Sequence, residues 1–155
     1  MRFTRVRDLV GLAVAAGLVS WLVIRQVYGE LPAFPVFVPV SLAVLAAVEV
    51  VLGLQLRARI ARRPGTTPVP PLTAARAVAL AKASSLVGAL ATGFWAGLLG
   101  YTLPNQDFLA AAGSDTRTGL VGVACGGLLT GAGLWMEHCC RAPRRPDDDP
   151  AARPA

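Results

Sequence analysis

Residues 36–56 read VFVPVSLAVLAAVEVVLGLQL. The run is about as long as the twenty or so apolar residues needed to cross the hydrocarbon core of a bilayer as a helix. Its two prolines, Pro35 just before and Pro39 just inside, fall where the first helical turn has unpaired N–H groups in any case. Its one charge is Glu49. A chain of 155 residues that is 54% hydrophobic and only 15% charged is too apolar for an ordinary soluble domain, so this run is read as a transmembrane span.

Three more such runs flank it. Leu9 to Ile24 follows the basic stretch MRFTRVRD. That start resembles a signal peptide, but no small-x-small cleavage site follows, and the run reads as an uncleaved span ending in Arg25, whose side chain snorkels outward. After Val36–Leu56 comes RARIARRPG and then the stiff loop PGTTPVPPL, which cannot continue a helix. Thr73 is the expected N-cap of a long third helix stopped by Pro104, and a fourth begins near Ser114 or Asp115 and ends in EHCCR. The expectation is an all-α integral membrane bundle of four transmembrane helices within residues 1–141, with spans at about 9–28, 36–56, 80–103 and 118–137. Residues 142–155, rich in proline and charge, read as a disordered tail.

Lysine and arginine set the orientation. The formal charge of +6 comes from clusters that flank apolar runs, with no basic face interleaved with aromatics, so nucleic acid is not an expected partner. Thirteen of the fifteen basic residues lie in the N-terminal tail, the loop between the second and third spans, and the C-terminal tail; Arg25 and Arg117 alone lie on the other side. Both termini are therefore expected in the cytoplasm, with the cell membrane as the location. Tyr28, Phe34, Phe37, Tyr101 and Phe108 then form an aromatic belt at the opposite interface. Arg57, Arg59, Arg62, Arg63 and Arg76 are the expected contacts to anionic headgroups, each worth about 1 kcal/mol near such a surface.

A charge at mid-membrane costs about 2.5 to 3.5 kcal/mol on insertion scales, so Glu49 is expected to face other helices. Ala46 and Gly53, one turn to either side, make that face narrow enough for a neighbour to come close. Lys82 enters on the third helix from the same basic side, and its flexible stem reaches downward. A Glu49–Lys82 contact, direct or through water, is the expectation, and it makes Glu49 either a pin for helix packing or a proton or cation site. Small residues recur at four-residue spacing: Ser85, Ala89, Gly93 and Gly97 on the third helix, and Gly122 with Gly126 and Gly127 with Gly131 on the fourth. They are read as packing the third helix on the fourth, in preference to a dimer seam.

Phosphate-loop, zinc-protease and nucleophile-elbow motifs are missing from the sequence. Cys139 and Cys140 are vicinal, and Cys125 is about 21 Å away along a helix, so neither zinc nor a disulfide framework is expected. No catalytic residue and no cofactor is expected.

The stretch RARIARRPGTTPVPPLTAARAVALAKASSLVGALATGFWAGLLGY, with TRVRDLV and SDTRTG before and after it and LWMEHCCRAP near the end, resembles an actinobacterial integral membrane family, domain of unknown function 3180. The resemblance implies a small four-helix membrane protein with no assigned activity and brings no catalytic or binding residues. The functional expectation is a non-enzymatic accessory or scaffold component, with the lipid bilayer and a membrane-protein partner or further copies of itself as partners. The alternative is a small oligomeric transporter or channel that uses Glu49 as its coupling site.

Overall fold

The computed structural model describes residues 5–30, 32, 34–60, 71–108 and 112–140. They form four helices: α1 (Val6–Val27), α2 (Phe37–Ile60), α3 (Pro71–Asn105) and α4 (Ala112–Cys139), with a single 3-10 turn at Tyr28–Glu30 after α1. Arg62, Arg63 and the tail 142–155 lie outside the described residues. All four helices are long and apolar enough to cross a membrane. The end of the row that carries Arg57, Arg59 and Lys82 is the basic end, and the opposite one is the aromatic end.

Local chemistry explains where the helices start and stop. Pro39 costs α2 nothing, because it sits in the first turn, and the N–H of Val38 reaches the Pro35 carbonyl at 3.2 Å. α3 starts at Pro71, two residues before the expected cap Thr73, since proline is at home in a first turn. It also passes the expected stop by one residue. Pro104 lies in the last turn, and the Asn105 side-chain amide donates to the Tyr101 carbonyl at 2.7 Å, satisfying an acceptor that the helix end leaves over. With 35 residues α3 is about 52 Å long, well beyond the hydrocarbon core.

The helices pack in the spatial order α1–α3–α4–α2. α1 and α2 do not touch, and α2 meets α3 only marginally, so the bundle is an open row with α3 and α4 at its centre. In the most apolar stretch of each, 44% of α4 is buried inside the protein against 11% of α1, so the outer helix presents most of its surface to lipid.

The central seam is made of small residues. Ala81, Ser85, Gly88, Thr92, Trp95, Leu99 and Thr102 of α3 recur at alternating spacings of four and three, the period of a coiled-coil stripe. Gly133, Gly126, Gly122 and Gly119 of α4 face them. A methyl added at Gly126 lies 2.7 Å from Thr92 Oγ1, one at Gly133 lies 2.7 Å from the Ala81 carbonyl oxygen, and one at Gly122 runs into the Trp95 indole. Glycine at these places lets the two backbones meet, which in a membrane replaces the missing hydrophobic drive with dispersion. Thr116 and Thr102 close the seam at the aromatic end with a hydroxyl–hydroxyl bond of 3.1 Å.

Gly93 and Gly97 do not belong to that seam. Their spacing predicts packing of α3 on α4, but they face α1: methyl groups added there meet Ala13 and Ala16, and Gly17 and Ser20. α1 answers with its own small residues, and Ser20 Oγ donates to the Phe94 carbonyl at 3.1 Å. Four-residue spacing identifies a close-packing face of α3 and assigns it the wrong neighbour. Gly122 and Gly126 do pack on α3, whereas among the described residues nothing lies within 4 Å of a methyl added at Gly127 or Gly131.

Candidate functional site

The polar groups inside the apolar row gather in two places. The first is at the aromatic end. Asp115, in the first turn of α4, is 2% exposed. Its Oδ2 accepts the Tyr28 hydroxyl at 2.7 Å and its Oδ1 accepts the Phe34 N–H at 3.1 Å. One turn on, Thr118 donates to the Phe34 carbonyl at 3.1 Å. Both polar backbone groups of Phe34 are thus satisfied by α4, and a carboxylate near a helix N-terminus is favoured by the unpaired amides there. The segment between α1 and α2 is in this way bonded to the start of α4.

Aromatic rings cover the cluster. Tyr28 and Tyr101 lie 5.0 Å apart between centroids, and Phe34 meets Trp95 edge-on at 5.9 Å and Phe94 at 6.3 Å. Of the five aromatics expected in an interfacial belt, Phe37 and Phe108 are exposed at 74% and 85%, but Tyr28 and Phe34 turn inward. At the same end Arg25 stacks over the Trp21 ring at 5.7 Å, within cation–π range, so its expected outward reach includes an aromatic contact. Asp115 reads from sequence only as a helix start, a role that any acid there satisfies; its pairing with Tyr28 has no local signal across 87 residues.

The second place is the α2–α4 seam. Ala46 packs on Leu129 and Ala132 of α4, and one turn further Glu49 is buried at 2% exposure. Another turn on, Gly53 lies under Trp135, with an added methyl 2.6 Å from Cζ3. Glu49 therefore faces the protein interior, as its flanking small residues predict. Its expected partner is not on it: both carboxyl oxygens are without a hydrogen-bond partner, so no direct bond from Lys82 is formed. The polar side chain turned toward the carboxyl is Ser84, two residues along α3, which is itself buried. Lys82 is half-buried and has an interaction of its own. Two residues along a helix is a rotation of about 200°, enough to carry one side chain to the seam and the other away from it.

Apolar clusters close the seam on both sides of Glu49. Toward the aromatic end are Ala46, Leu129, Ala132 and Leu42; toward the basic end are Ala77, Ala81, Met136, Leu52 and Leu56. Of the expected headgroup contacts, Arg57, Arg59 and Arg76 are exposed at the basic end. Cys140 packs into the cluster there, and burial together with the adjacent Cys139 pushes its thiol above the ordinary range. Among the described residues no three His, Cys, Asp or Glu side chains come together in a way that holds a metal ion.

Four apolar helices, with three buried acids (Glu49, Asp115 and Glu137) and no strand among the described residues, define a small multi-pass α-helical membrane protein. The chain belongs to the family described as Protein of unknown function (DUF3180), whose model matches residues 9–144. No curated protein and no solved structure is matched.

Proposed function

We propose that this protein is a non-enzymatic accessory or scaffold component of the cell membrane, with both termini in the cytoplasm and its basic end on anionic headgroups or on a membrane-protein partner. The observation that carries the reading is the open row of helices. Transport needs a polar route between two faces, and here the one mid-membrane acid is walled off by apolar side chains in both directions. The grooves between the helices are apolar and open sideways to lipid; that between α2 and α4, of about 960 Å³, is lined by Ala43, Ala47, Gly127 and Gly131 among others. The exposed Arg57, Arg59 and Arg76 supply the electrostatic part of the attachment.

Crosslinking in the native membrane, gentle extraction and mass spectrometry test this. The expected result is a foreign membrane protein in fixed stoichiometry; a homo-oligomer with nothing attached overturns the partner role. The second reading, an oligomeric transporter coupled through Glu49, draws on one observation, a buried carboxyl with no cation bonded to its oxygens. It requires that Glu49→Gln abolish pH-dependent flux in vesicles, whereas the accessory reading expects no flux to lose.

A further inference from the structure

We infer that the groove between α2 and α4 seats one anionic phospholipid from the leaflet at the basic end, with its acyl chains along the groove and its phosphate at Arg57. The inference rests on the headgroup half of the function proposed above and names the lipid and its place; it needs no protein partner.

The groove is apolar and roomy. At about 960 Å³ it exceeds the two grooves beside α1, of about 370 and 560 Å³, and the one between α2 and α3, of about 450 Å³. Ala47 and Val50 of α2 form one wall, and Val123, Gly127, Gly131 and Trp135 of α4 form the other. Among the described residues nothing lies within 4 Å of a methyl added at Gly127 or Gly131, so the α4 wall is open along its middle.

Length selects the kind of occupant. From Val123 to Trp135 is about 18 Å along the helix, against about 15 Å for half the hydrocarbon core. Val123 lies near the middle of α4 and Trp135 one turn from its basic end, so the groove covers the leaflet at the basic end and stops at mid-membrane. Past Val123 the exposed Leu120 stands on the same face of α4, one and two turns from Val123 and Gly127. A transmembrane helix, from a second copy or another protein, runs through both leaflets and wants a face about 30 Å long. A lipid chain wants one leaflet.

Charge selects the headgroup. Ala43, Ala47, Val50, Leu54 and Arg57 follow one another at spacings of four and three, so Arg57 continues the α2 wall beyond the groove. Its charge is close enough to act on Cys139, at the end of α4. From α4 the exposed His138 continues the row of Gly127, Gly131 and Trp135 in the same way. The nearby acids are withdrawn: Glu49 is turned to Ser84 of α3, and Glu137 is buried. A guanidinium forks onto a phosphate through two N–H donors, and an indole one turn below it stands at the level where tryptophan favours the membrane interface. Basic pockets between transmembrane helices hold anionic headgroups in this manner.

The test reconstitutes the full chain in phosphatidylcholine vesicles that carry a small fraction of a photoactivatable lipid, with a diazirine on its acyl chain and either a phosphatidylglycerol or a phosphatidylcholine headgroup. Adducts are mapped by mass spectrometry. Within residues 43–50 and 123–135, phosphatidylglycerol adducts are expected to exceed those of phosphatidylcholine about fivefold or more, the factor that one basic residue contributes near an anionic charge. Arg57→Gln should remove most of that excess, and Arg59→Gln, about 200° round the helix, should lower it far less. Gly131→Leu, which puts a side chain into the groove and leaves the basic end intact, should lower the adducts of both lipids there. Equal labelling by the two lipids overturns the inference. An equal loss with Arg57→Gln and Arg59→Gln also overturns it, leaving only a diffuse attraction of the basic end to headgroups. So does a disulfide between two chains at Gly131→Cys, formed in a cysteine-free background in the same vesicles, because it puts a second copy in the groove. Capture of a foreign protein from native membranes is a separate measurement, and it decides the accessory reading whichever lipid fills the groove.

Discussion

Asp115 and Glu49 are buried to the same degree, 2% exposed, on helices that pack against each other, and their surroundings could hardly differ more. Asp115 accepts a hydroxyl and a backbone N–H, with Thr118 completing the backbone of Phe34 from the next turn. Glu49 has no comparable set of donors: neither of its oxygens closes a full hydrogen bond, and the Ser84 hydroxyl alone is turned toward it. The glycines of α4 divide in the same way. Gly119, Gly122, Gly126 and Gly133 are pressed against α3, while Gly127 and Gly131 open onto an apolar groove beside α2. Burial alone thus says little about how a residue is held. One side of α4 is filled by small-residue packing and a satisfied polar cluster, and the other holds α2 through apolar packing on both sides of a sparsely bonded acid.

The largest expected effect comes from breaking the satisfied acid. Asp115→Ala strands the Tyr28 hydroxyl and the Phe34 N–H together and should cost about 3 kcal/mol. Reversible unfolding in mixed micelles measures it. A loss below that of an ordinary surface substitution would mean that the two donors find other acceptors, and that the aromatic end is not what fixes α1 and α2 to α4.

Next comes the filled side of the helix. Gly126→Ala places a methyl 2.7 Å from Thr92 Oγ1 and 2.8 Å from the Thr92 amide nitrogen. Backbone must move to admit it, and overpacking of this kind costs about 2 kcal/mol. The same unfolding measurement reads it, with a shift of the α3–α4 distance as a second sign.

Glu49→Met should behave unlike either. Replacing a buried acid whose one polar neighbour is the Ser84 hydroxyl by an apolar side chain of similar size leaves little unsatisfied, so the change stays within about 1 kcal/mol and is expected on the stabilising side. A loss as large as that for Asp115→Ala would show that the carboxyl is held after all, and the contrast between the two acids would collapse.

What hydropathy can see sets how much of this is legible in the sequence. The four spans, the basic loop and the inward aim of Glu49 are readable from run length, arginine clusters and the flanking Ala46 and Gly53. The order of the helices is not. In water an apolar stripe points to the core, but lipid is as apolar as leucine, so periodicity does not say which helix faces which. Hence spacing assigns Gly93 and Gly97 to α4 although they meet α1. The direct Lys82 bond is not formed for a related reason: reach along the membrane normal is set by residue count, whereas direction around the helix depends on the neighbour. Asp115 escapes because its partners lie 81 and 87 residues away and its own position explains an acid well enough.

The smallest expected effect is the most discriminating for the open side of α4. Among the described residues nothing lies within 4 Å of a methyl added at Gly127, and alanine exceeds glycine in helix propensity by up to about 1 kcal/mol, so Gly127→Ala should leave stability unchanged or raise it slightly. That outcome would make the groove a lipid-facing surface, with glycine there tolerated because nothing selects a side chain. Destabilisation in the membrane without destabilisation in detergent would have a different meaning. It would place the backbone of another chain against Gly127 and Gly131, at the spacing that lets two transmembrane helices touch. The same substitution read by the two measurements therefore separates an idle face from an occupied one, which unfolding of the isolated chain alone does not.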